Sequence, residues 1–134
     1  MENMQQIKVL MVEDSQYAAD INARQIKKSG LGIEYQVVSD KQAMEKALQG
    51  KEWDLILSDN CMPWFSGLGA LEVRNRLGAN TPFILLSEHM MQEEIAMAYG
   101  QGLTAFISKC DLMVLGVYLK KLFLRGNGHT RNDL

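Results

Sequence analysis

The chain has 134 residues, 47% of them hydrophobic and 22% charged, which is the composition of one ordinary globular domain and excludes a disordered or fibrous protein. Its 14 basic and 16 acidic residues give a net charge of −2, which argues against a nucleic-acid-binding surface. Two cysteines are too few for a disulfide framework, and the polar amino terminus and the lack of a long apolar run predict a cytoplasmic protein with neither signal peptide nor membrane span.

Short apolar runs alternate with helical apolar stripes along the first half of the chain. The predicted elements there are a strand over 7–12, a helix capped by Asp14 or Ser15 and ended by Gly30, a weakly alternating strand over 33–39, and a helix capped by Asp40 and ended by Gly50. The weak alternation of the second strand favours a position near an edge of the sheet. The helical stripes consist of Ala19, Ala23 and Ile26 in the first helix and Ala43, Met44, Ala47 and Leu48 in the second.

The second half repeats this alternation. The predicted elements are a strand over 54–58, a loop over 60–66 containing Pro63, a helix over 68–77 that closes at Gly78, a strand over 82–87, a helix over 92–100, a strand over 104–108, and a helix that Asp111 caps and that runs to about Arg125. We expect Ile95, Ala98 and Tyr99 to face inward from the helix over 92–100. In the last helix the inward residues should be Leu115, Leu119, Leu122 and Phe123, whereas Val114, Val117 and Tyr118 are not all accommodated on the inward face.

Five strands that alternate with five helices through short loops predict an α/β fold, with a parallel sheet covered on both faces. The right-handed crossover rule then favours a doubly wound sheet. In such sheets ligands bind outside the carboxyl ends of the strands. The polar residues at or just after those ends are therefore the candidates for a functional site.

Three carboxylates, a hydroxyl and an amine follow the predicted strands: Glu13, Asp14, Asp59, Ser87 and Lys109. Neighbouring carboxylates repel one another unless a cation lies between them, and hard oxygen ligands suit Mg²⁺. A lysine and a hydroxyl opposite such a metal predict a site for a phosphoryl group. No Walker-type glycine loop is present, so a nucleotide is not the expected donor, and one carboxylate could act as a covalent nucleophile.

The segments K-V-L-M-V-E-D-S, D-L-I-L-S-D-N-C-M-P, P-F-I-L-L-S and F-I-S-K resemble the receiver domain of two-component response regulators, including those of chemotaxis. The resemblance extends over about 7–125, so we expect a receiver domain over 1–125 and a polar tail or linker start over 126–134. It implies a flavodoxin-like sheet with strand order 2-1-3-4-5.

The resemblance also implies a role for each site residue. Asp59 would accept a phosphoryl group from the phosphohistidine of a histidine kinase or phosphotransfer protein. Lys109 would contact the phosphoryl oxygens, and Ser87 and Phe106 would form the switch pair that senses them. The Mg²⁺ ligands would be Glu13, Asp14, Asp59 and the backbone carbonyl of Cys61. The output would be a downstream protein or effector domain, with a homodimer through helix 4, strand 5 and helix 5 as a further hypothesis.

Several residues depart from the family pattern. Glu88 is a bulky anion beside the pocket, which predicts weak labelling by small phosphodonors such as acetyl phosphate. Cys110 replaces the proline that usually follows the lysine in a cis bond, so an altered backbone at Lys109 is expected. The aromatic pair Trp64 and Phe65 is either a docking patch for a partner or a cover packed over the pocket. Met90, Met91 and Met97, on or near helix 4, would suit a binding face.

Two further readings concern the loops around the pocket. The resemblance implies that Cys61 and His89 occupy variable positions that tune how fast water reaches an acyl phosphate, and that Glu88, His89 and Cys110 tune the pocket. Alternatively, Cys61, His89 and Cys110 could form a transition-metal or redox site, although their spacing matches no zinc pattern. The rivals to a phosphorylated switch are a pseudo-receiver that only binds partners and a Mg²⁺-dependent phosphohydrolase. The hydrolase would need an acid/base two residues after the nucleophile, where this chain has cysteine.

Overall fold

The computed structural model describes residues 6–77 and 80–124, which form five parallel strands and the helices that connect them. The strands are β1 (Gln6–Val12), β2 (Gly32–Val38), β3 (Leu55–Asp59), β4 (Phe83–Ser87) and β5 (Ala105–Ser108). The helices are α1 (Gln16–Lys28), α2 (Lys41–Gly50), α3 (Gly67–Arg76), α4 (Gln92–Gly100) and α5 (Met113–Leu119). The strand order β2-β1-β3-β4-β5 confirms the predicted doubly wound α/β sheet, with β2 at an edge.

The sheet has an apolar layer on each face. All residues of β3 and β4 are buried, as their continuous apolar runs predict for strands covered on both sides. One face packs against α1 and α5 through residues that include Ala23, Ile26, Leu115 and Leu119. The other face packs against α2, α3 and α4 through residues that include Met44, Ala47, Leu71 and Ala98. The carboxyl ends of all five strands are left facing one edge of these layers.

Helix starts and turns are set by local side chains. Ser15, not Asp14, caps α1, because its hydroxyl accepts a hydrogen bond from the backbone N–H of Ala18 over 3.1 Å. Asp40 caps α2 as predicted, accepting from the N–H of Ala43 over 2.8 Å. Asp14 is thereby free of capping and exposed. Gly30 turns the chain after α1 with a φ of 101°, a conformation that side chains disfavour.

A buried arginine connects α3 to the turn after α4. Arg74 is only 7% exposed, and its guanidinium donates to the carbonyls of Thr81 over 2.7 Å and Gly102 over 2.9 Å. The neighbouring Asn75 donates to the carbonyl of Gln101 over 2.7 Å. Gly102 has a φ of 100°, a conformation that favours glycine. A Cβ on it would also lie 2.7 Å from the Arg74 guanidinium and would displace that group.

Three predictions for the last two helices are wrong. Tyr99 is 47% exposed rather than inward, and its hydroxyl accepts a hydrogen bond from the backbone N–H of Phe106 over 3.0 Å. Asp111 does not cap α5; it ends a 3₁₀ turn over Lys109–Asp111, and α5 begins at Met113 without a side-chain cap. Leu122 is exposed because a π turn over Lys120–Leu124 changes the helical period after α5.

Other predictions near the helix ends agree with the structure or fall outside it. Ala98, Leu115 and Leu119 are buried, whereas Val114 and Val117 are exposed. The predicted end points Gly78 and Arg125 and the predicted tail over 126–134 lie outside the described residues. Within the described residues, no helix is long and apolar enough to cross a membrane.

Candidate functional site

The acidic residues come together because β1 and β3 are neighbours in register. Val12 pairs with Ser58, so the next residue of each strand path, Glu13 and Asp59, stands at the same level of the sheet. Asp14 follows directly in the loop before α1. Carboxylate oxygens of Glu13, Asp14 and Asp59 all lie within 4.8 Å of one another. This is the convergence that the strand-end positions predict.

Asp59 lies at the centre of the site and is 5% exposed. The ammonium of Lys109 lies 2.8 Å from its Oδ1 atom, and the backbone N–H of Cys61 donates to the same oxygen over 3.3 Å. Lys109 reaches this position from the turn that follows β5. Because both donors contact Oδ1, the structure assigns the Oδ2 atom no donor among the described residues.

The peptide bond between Lys109 and Cys110 is trans, since no cis peptide bond occurs in the described part of the chain. Residues Lys109–Asp111 form a 3₁₀ turn, in which the hydroxyl of Ser108 accepts from the N–H of Cys110 over 3.1 Å. Lys109 still contacts Asp59 from this turn. Proline is thus not required to bring the lysine to the carboxylate in this chain.

The carboxylates outnumber the cations that neutralise them. Burial and the nearby negative charge of Asp59 raise the pKa of Glu13 to about 7. Burial alone would lower the pKa of Lys109, but the hydrogen bond to Asp59 and the charges of Asp59, Glu13 and Glu88 raise it on balance. Lys109 is therefore firmly charged, while burial and the charge of Asp59 together bring the pKa of Glu13 close to neutral pH.

This donor set fits a hard divalent cation. Three carboxylates supply only oxygen atoms, and burial together with the charge of Asp59 raises the pKa of Glu13, so a further cation would favour its ionised form. Mg²⁺ is bound in proteins by one or two carboxylates together with waters and phosphate oxygens. Glu13, Asp14 and Asp59 are the residues that could hold it, and Asp14 is exposed enough to admit water.

The predicted switch pair lies on the two strands beyond β3. Ser87, at the end of β4, is 1% exposed, and its hydroxyl donates to the backbone carbonyl of His89 over 2.8 Å. Phe106, on the edge strand β5, is half-buried and packs against the apolar layer that includes α4. Its backbone N–H donates to the Tyr99 hydroxyl. This hydrogen-bonding role of Tyr99 was not predicted; the available signal was a tyrosine in the last turn of a helix that precedes an edge strand.

The remaining predicted pocket residues lie on the surface. All four are exposed: Cys61, Glu88, His89 and Cys110. The negative charge of Glu88 contributes to raising the pKa of Lys109. Among the described residues, the acidic cluster is the one group of three metal-ligating side chains, and it contains neither cysteine nor histidine. The structure therefore gives no support to a transition-metal site built from Cys61, His89 and Cys110.

The loop between β3 and α3 separates its two aromatic residues. Trp64 is 90% exposed, whereas Phe65 is 8% exposed and packs in the apolar layer with Met62. Phe65 is thus part of the core, and Trp64 is an exposed surface aromatic, so the two residues do not form a joint exposed patch. Ser66 follows and caps α3 by accepting from the N–H of Gly69 over 2.9 Å.

Comparison with known proteins gives one consistent result. Residues 9–115 match the family model described as the response regulator receiver domain. The chain is 30% identical over 108 residues to the hybrid signal transduction histidine kinase G of Dictyostelium discoideum. The aligned region covers 78% of this chain but only 3% of that much longer protein.

Solved structures show the same fold. The signal receiver domain of a signal transduction histidine kinase from Syntrophus aciditrophicus is 25% identical, with a TM-score of 0.73 and coverage of 96% of this chain and 97% of that one. The receiver domain of a sensor histidine kinase from Pseudomonas aeruginosa PAO1, solved with magnesium coordinated in the active-site cleft, is 19% identical, with a TM-score of 0.70 and coverage of 86% and 95%. With its strand order, its strand-end acidic cluster and the match over residues 9–115, the chain belongs to the response regulator receiver domain family of two-component signalling.

Proposed function

We propose that the protein is a phosphorylation-controlled switch that accepts a phosphoryl group on Asp59. The observation that carries this proposal is the arrangement around that residue. Its carboxylate is nearly buried, lies within 4.8 Å of the Glu13 and Asp14 carboxylates, and has Lys109 Nζ 2.8 Å from one oxygen. Two anions and one cation around a third anion form an environment that suits transfer of a charged group.

In the proposed reaction, a carboxylate oxygen of Asp59 attacks the phosphorus of a phosphohistidine on a kinase or phosphotransfer protein. An O–P bond forms, the N–P bond breaks, and the imidazole leaves with the electron pair of that bond. The Oδ2 atom is the favoured nucleophile, because Lys109 and the Cys61 N–H both contact Oδ1. Lys109 would follow the transferred group and neutralise its oxygens.

The proposed cofactor is Mg²⁺, held by Glu13, Asp14, Asp59 and the backbone carbonyl of Cys61. When bound, it would neutralise the carboxylates and the phosphoryl oxygens so that anion can approach anion. Glu13 must be ionised to be a ligand, so its pKa of about 7 implies that metal binding near neutral pH releases a proton. Burial and the nearby charge of Asp59, which raise this pKa, both favour a cation beside the Glu13 carboxylate.

The proposed readout uses the contacts at β4 and β5. The Ser87 hydroxyl is engaged by the His89 carbonyl, a bond that must break for the hydroxyl to contact a phosphoryl group. That exchange would alter the loop before α4, while Phe106 and its contact with Tyr99 link the change to the edge strand. Hydrolysis of the acyl phosphate would reset the equilibrium.

The proposed output surface is the face formed by α4, β5 and α5. Its exposed apolar residues are Met97, Tyr99, Met113, Val114 and Val117. A downstream protein, an effector domain or a second copy of the chain would cover this face in the phosphorylated state. Solution scattering tests the homodimer: the mass should rise on phosphorylation, and an unchanged monomer mass would exclude it.

The deciding experiment is phosphotransfer from a phosphorylated histidine donor, with and without Mg²⁺, to the wild-type chain and to Asp59→Asn. We expect label that requires Mg²⁺ and is lost in the variant. The alternatives predict different results. No label in either protein, with normal folding, indicates a pseudo-receiver, and sustained turnover of a phosphoester indicates the hydrolase.

A further inference from the structure

The loop from Asn60 to Gly67 is closed at its base beside the phosphoacceptor. The N–H of Gly67 donates to the carbonyl of Asn60 over 3.4 Å. A Cβ on Gly67 would lie 3.0 Å from the Asn60 Cα and 2.3 Å from a methyl of Leu85, so the two ends of the loop are in contact and held against β4. Asn60 directly follows Asp59, and the loop is therefore fixed at the mouth of the site.

Within this closed loop, the Trp64 side chain has none of the described residues packed over it. Met62 and Phe65 on either side are buried in the core, Pro63 restricts the backbone, and Ser66 is held as the cap of α3. The neighbours thus fix the backbone while the indole remains 90% exposed. A rigid backbone lowers the entropy lost when a side chain becomes part of an interface.

Chain length limits the distance between Trp64 and Asp59. Trp64 is the fifth residue after Asp59, and five residues of chain span roughly 17 Å at most. A standard interface buries about 800 Å² per partner, which as a disc has a radius of roughly 16 Å. A protein that delivers a phosphoryl group must centre its contact on Asp59, which is 5% exposed, and this places Trp64 inside such a contact or at its rim.

We propose that Trp64 is a docking residue for the protein that donates the phosphoryl group to Asp59. The inference rests on the proposed function and adds to it the surface by which the donor is recognised. Tryptophan is enriched among the residues that dominate interface energies, since its large ring loses much apolar surface to water when covered. The partner is a folded phosphohistidine protein with an apolar contact next to its histidine; a small phosphodonor has no such surface.

The test compares two donors on the same variants. We expect Trp64→Ala to lower kcat/KM for phosphotransfer from a phosphorylated histidine phosphotransfer protein by tenfold or more, through a higher KM with little change in kcat. With acetyl phosphate or phosphoramidate, the rate of labelling at Asp59 should stay within twofold of wild type. Trp64→Phe, which keeps an aromatic ring, should restore most of the loss.

Leu122→Ala is the matched control, because Leu122 is an exposed apolar residue at the far end of the α5 segment. It should change neither rate by more than twofold. Equal rates for Trp64→Ala and wild type with the protein donor would overturn the docking role. An equal loss with both donors would also overturn it, since that pattern means damage to the pocket itself. Failure of every donor to label the wild-type chain refutes the proposed function instead, and with it this inference.

Discussion

Two cationic side chains near opposite ends of the sheet are stabilised in different ways. Arg74 is 7% exposed and is bound to neutral acceptors, the carbonyls of Thr81 and Gly102 and the Asn75 side chain, at 2.7 to 3.0 Å. Lys109, at the carboxyl ends, contacts one carboxylate and lies in the field of Glu13 and Glu88 as well. The arginine completes a structural network, whereas the lysine only partly neutralises an acidic one.

The difference distinguishes a polar group that stabilises the fold from one that belongs to a ligand-binding site. Satisfied hydrogen bonds between fixed partners leave nothing for a ligand to improve, because each donor already has its acceptor. An uncompensated cluster of like charges is destabilising, and it persists where a bound cation relieves it. Variants at the two ends should therefore fail in different assays.

The largest expected effect is on phosphotransfer. Lys109→Ala removes the cation that contacts Asp59, and we expect the rate of labelling by a phosphohistidine donor at saturating Mg²⁺ to fall by about 10²–10³-fold. The free energy of unfolding should change far less, because bound Mg²⁺ would still neutralise the carboxylates after the lysine is removed. Lys120→Ala, an exposed lysine beyond α5, is the control. A loss below tenfold would contradict the role given to Lys109.

The converse result is expected at the other end. Arg74→Met removes the donors to two partly buried carbonyls and the hydrogen bonds of a buried guanidinium, and we expect the free energy of unfolding to fall by roughly 1–3 kcal/mol. The folded fraction should still be labelled at the wild-type rate. Urea denaturation measures the first quantity, and Arg24→Met, at an exposed position on α1, is the matched control. If Arg74→Met slowed labelling without loss of stability, the comparison between the two ends would be wrong.

Stability should also depend on pH through Glu13. Its folded pKa of about 7 lies above the ordinary value of 4.5, so the folded state binds more protons between these values and metal-free stability falls as pH rises through that window. Glu13→Gln cannot ionise, and at pH 8 without metal it should be more stable than wild type by roughly 1–3 kcal/mol. Urea denaturation at several pH values in EDTA, with Glu52→Gln as control, measures this. A constant difference from pH 4 to pH 8 would exclude the effect.

The smallest expected effect concerns the exposed carboxylate beside the pocket. Glu88 adds negative charge near Lys109, so Glu88→Ala should raise the rate of labelling by acetyl phosphate by about 2–10-fold. High salt should reduce the difference, because exposed charges are screened. Glu88→Gln separates charge from size. Unchanged rapid labelling in Glu88→Ala would show that this residue does not hinder small donors.

The fold was predictable because its signals are local or periodic. Continuous apolar runs mark the buried strands, and caps such as Ser15 and Asp40 lie where their side chains reach the next turn. The acidic site was predictable because parallel strands must end at one edge of the sheet. The resemblance supplied the expected roles of the residues, and those roles remain predictions until phosphotransfer is measured.

The contacts that sequence did not predict join residues distant in the chain. The sequence pattern predicted no role for Arg74, yet carbonyls from two separate turns meet at its guanidinium. The hydrogen bond between Tyr99 and Phe106 replaces an inward ring, and the Ser87 bond to His89 depends on how one loop folds back. Periodicity describes one element at a time and carries no record of which loops converge on it.

The hydrogen bonds that fix the carboxyl end of α4 to α3 have a mechanical consequence. Gln101 and Gly102 are fixed to α3 through Asn75 and Arg74, whereas the other end of α4 follows the loop whose His89 carbonyl binds Ser87. The helix is thus held at its carboxyl end, while its amino end moves with that loop. Its 9 residues make it about 13 Å long, so a rotation of roughly 5° about the carboxyl end displaces the amino end by about 1 Å. A rotation of this size would convert the exchange of one hydrogen bond at Ser87 into a change of surface shape several residues away.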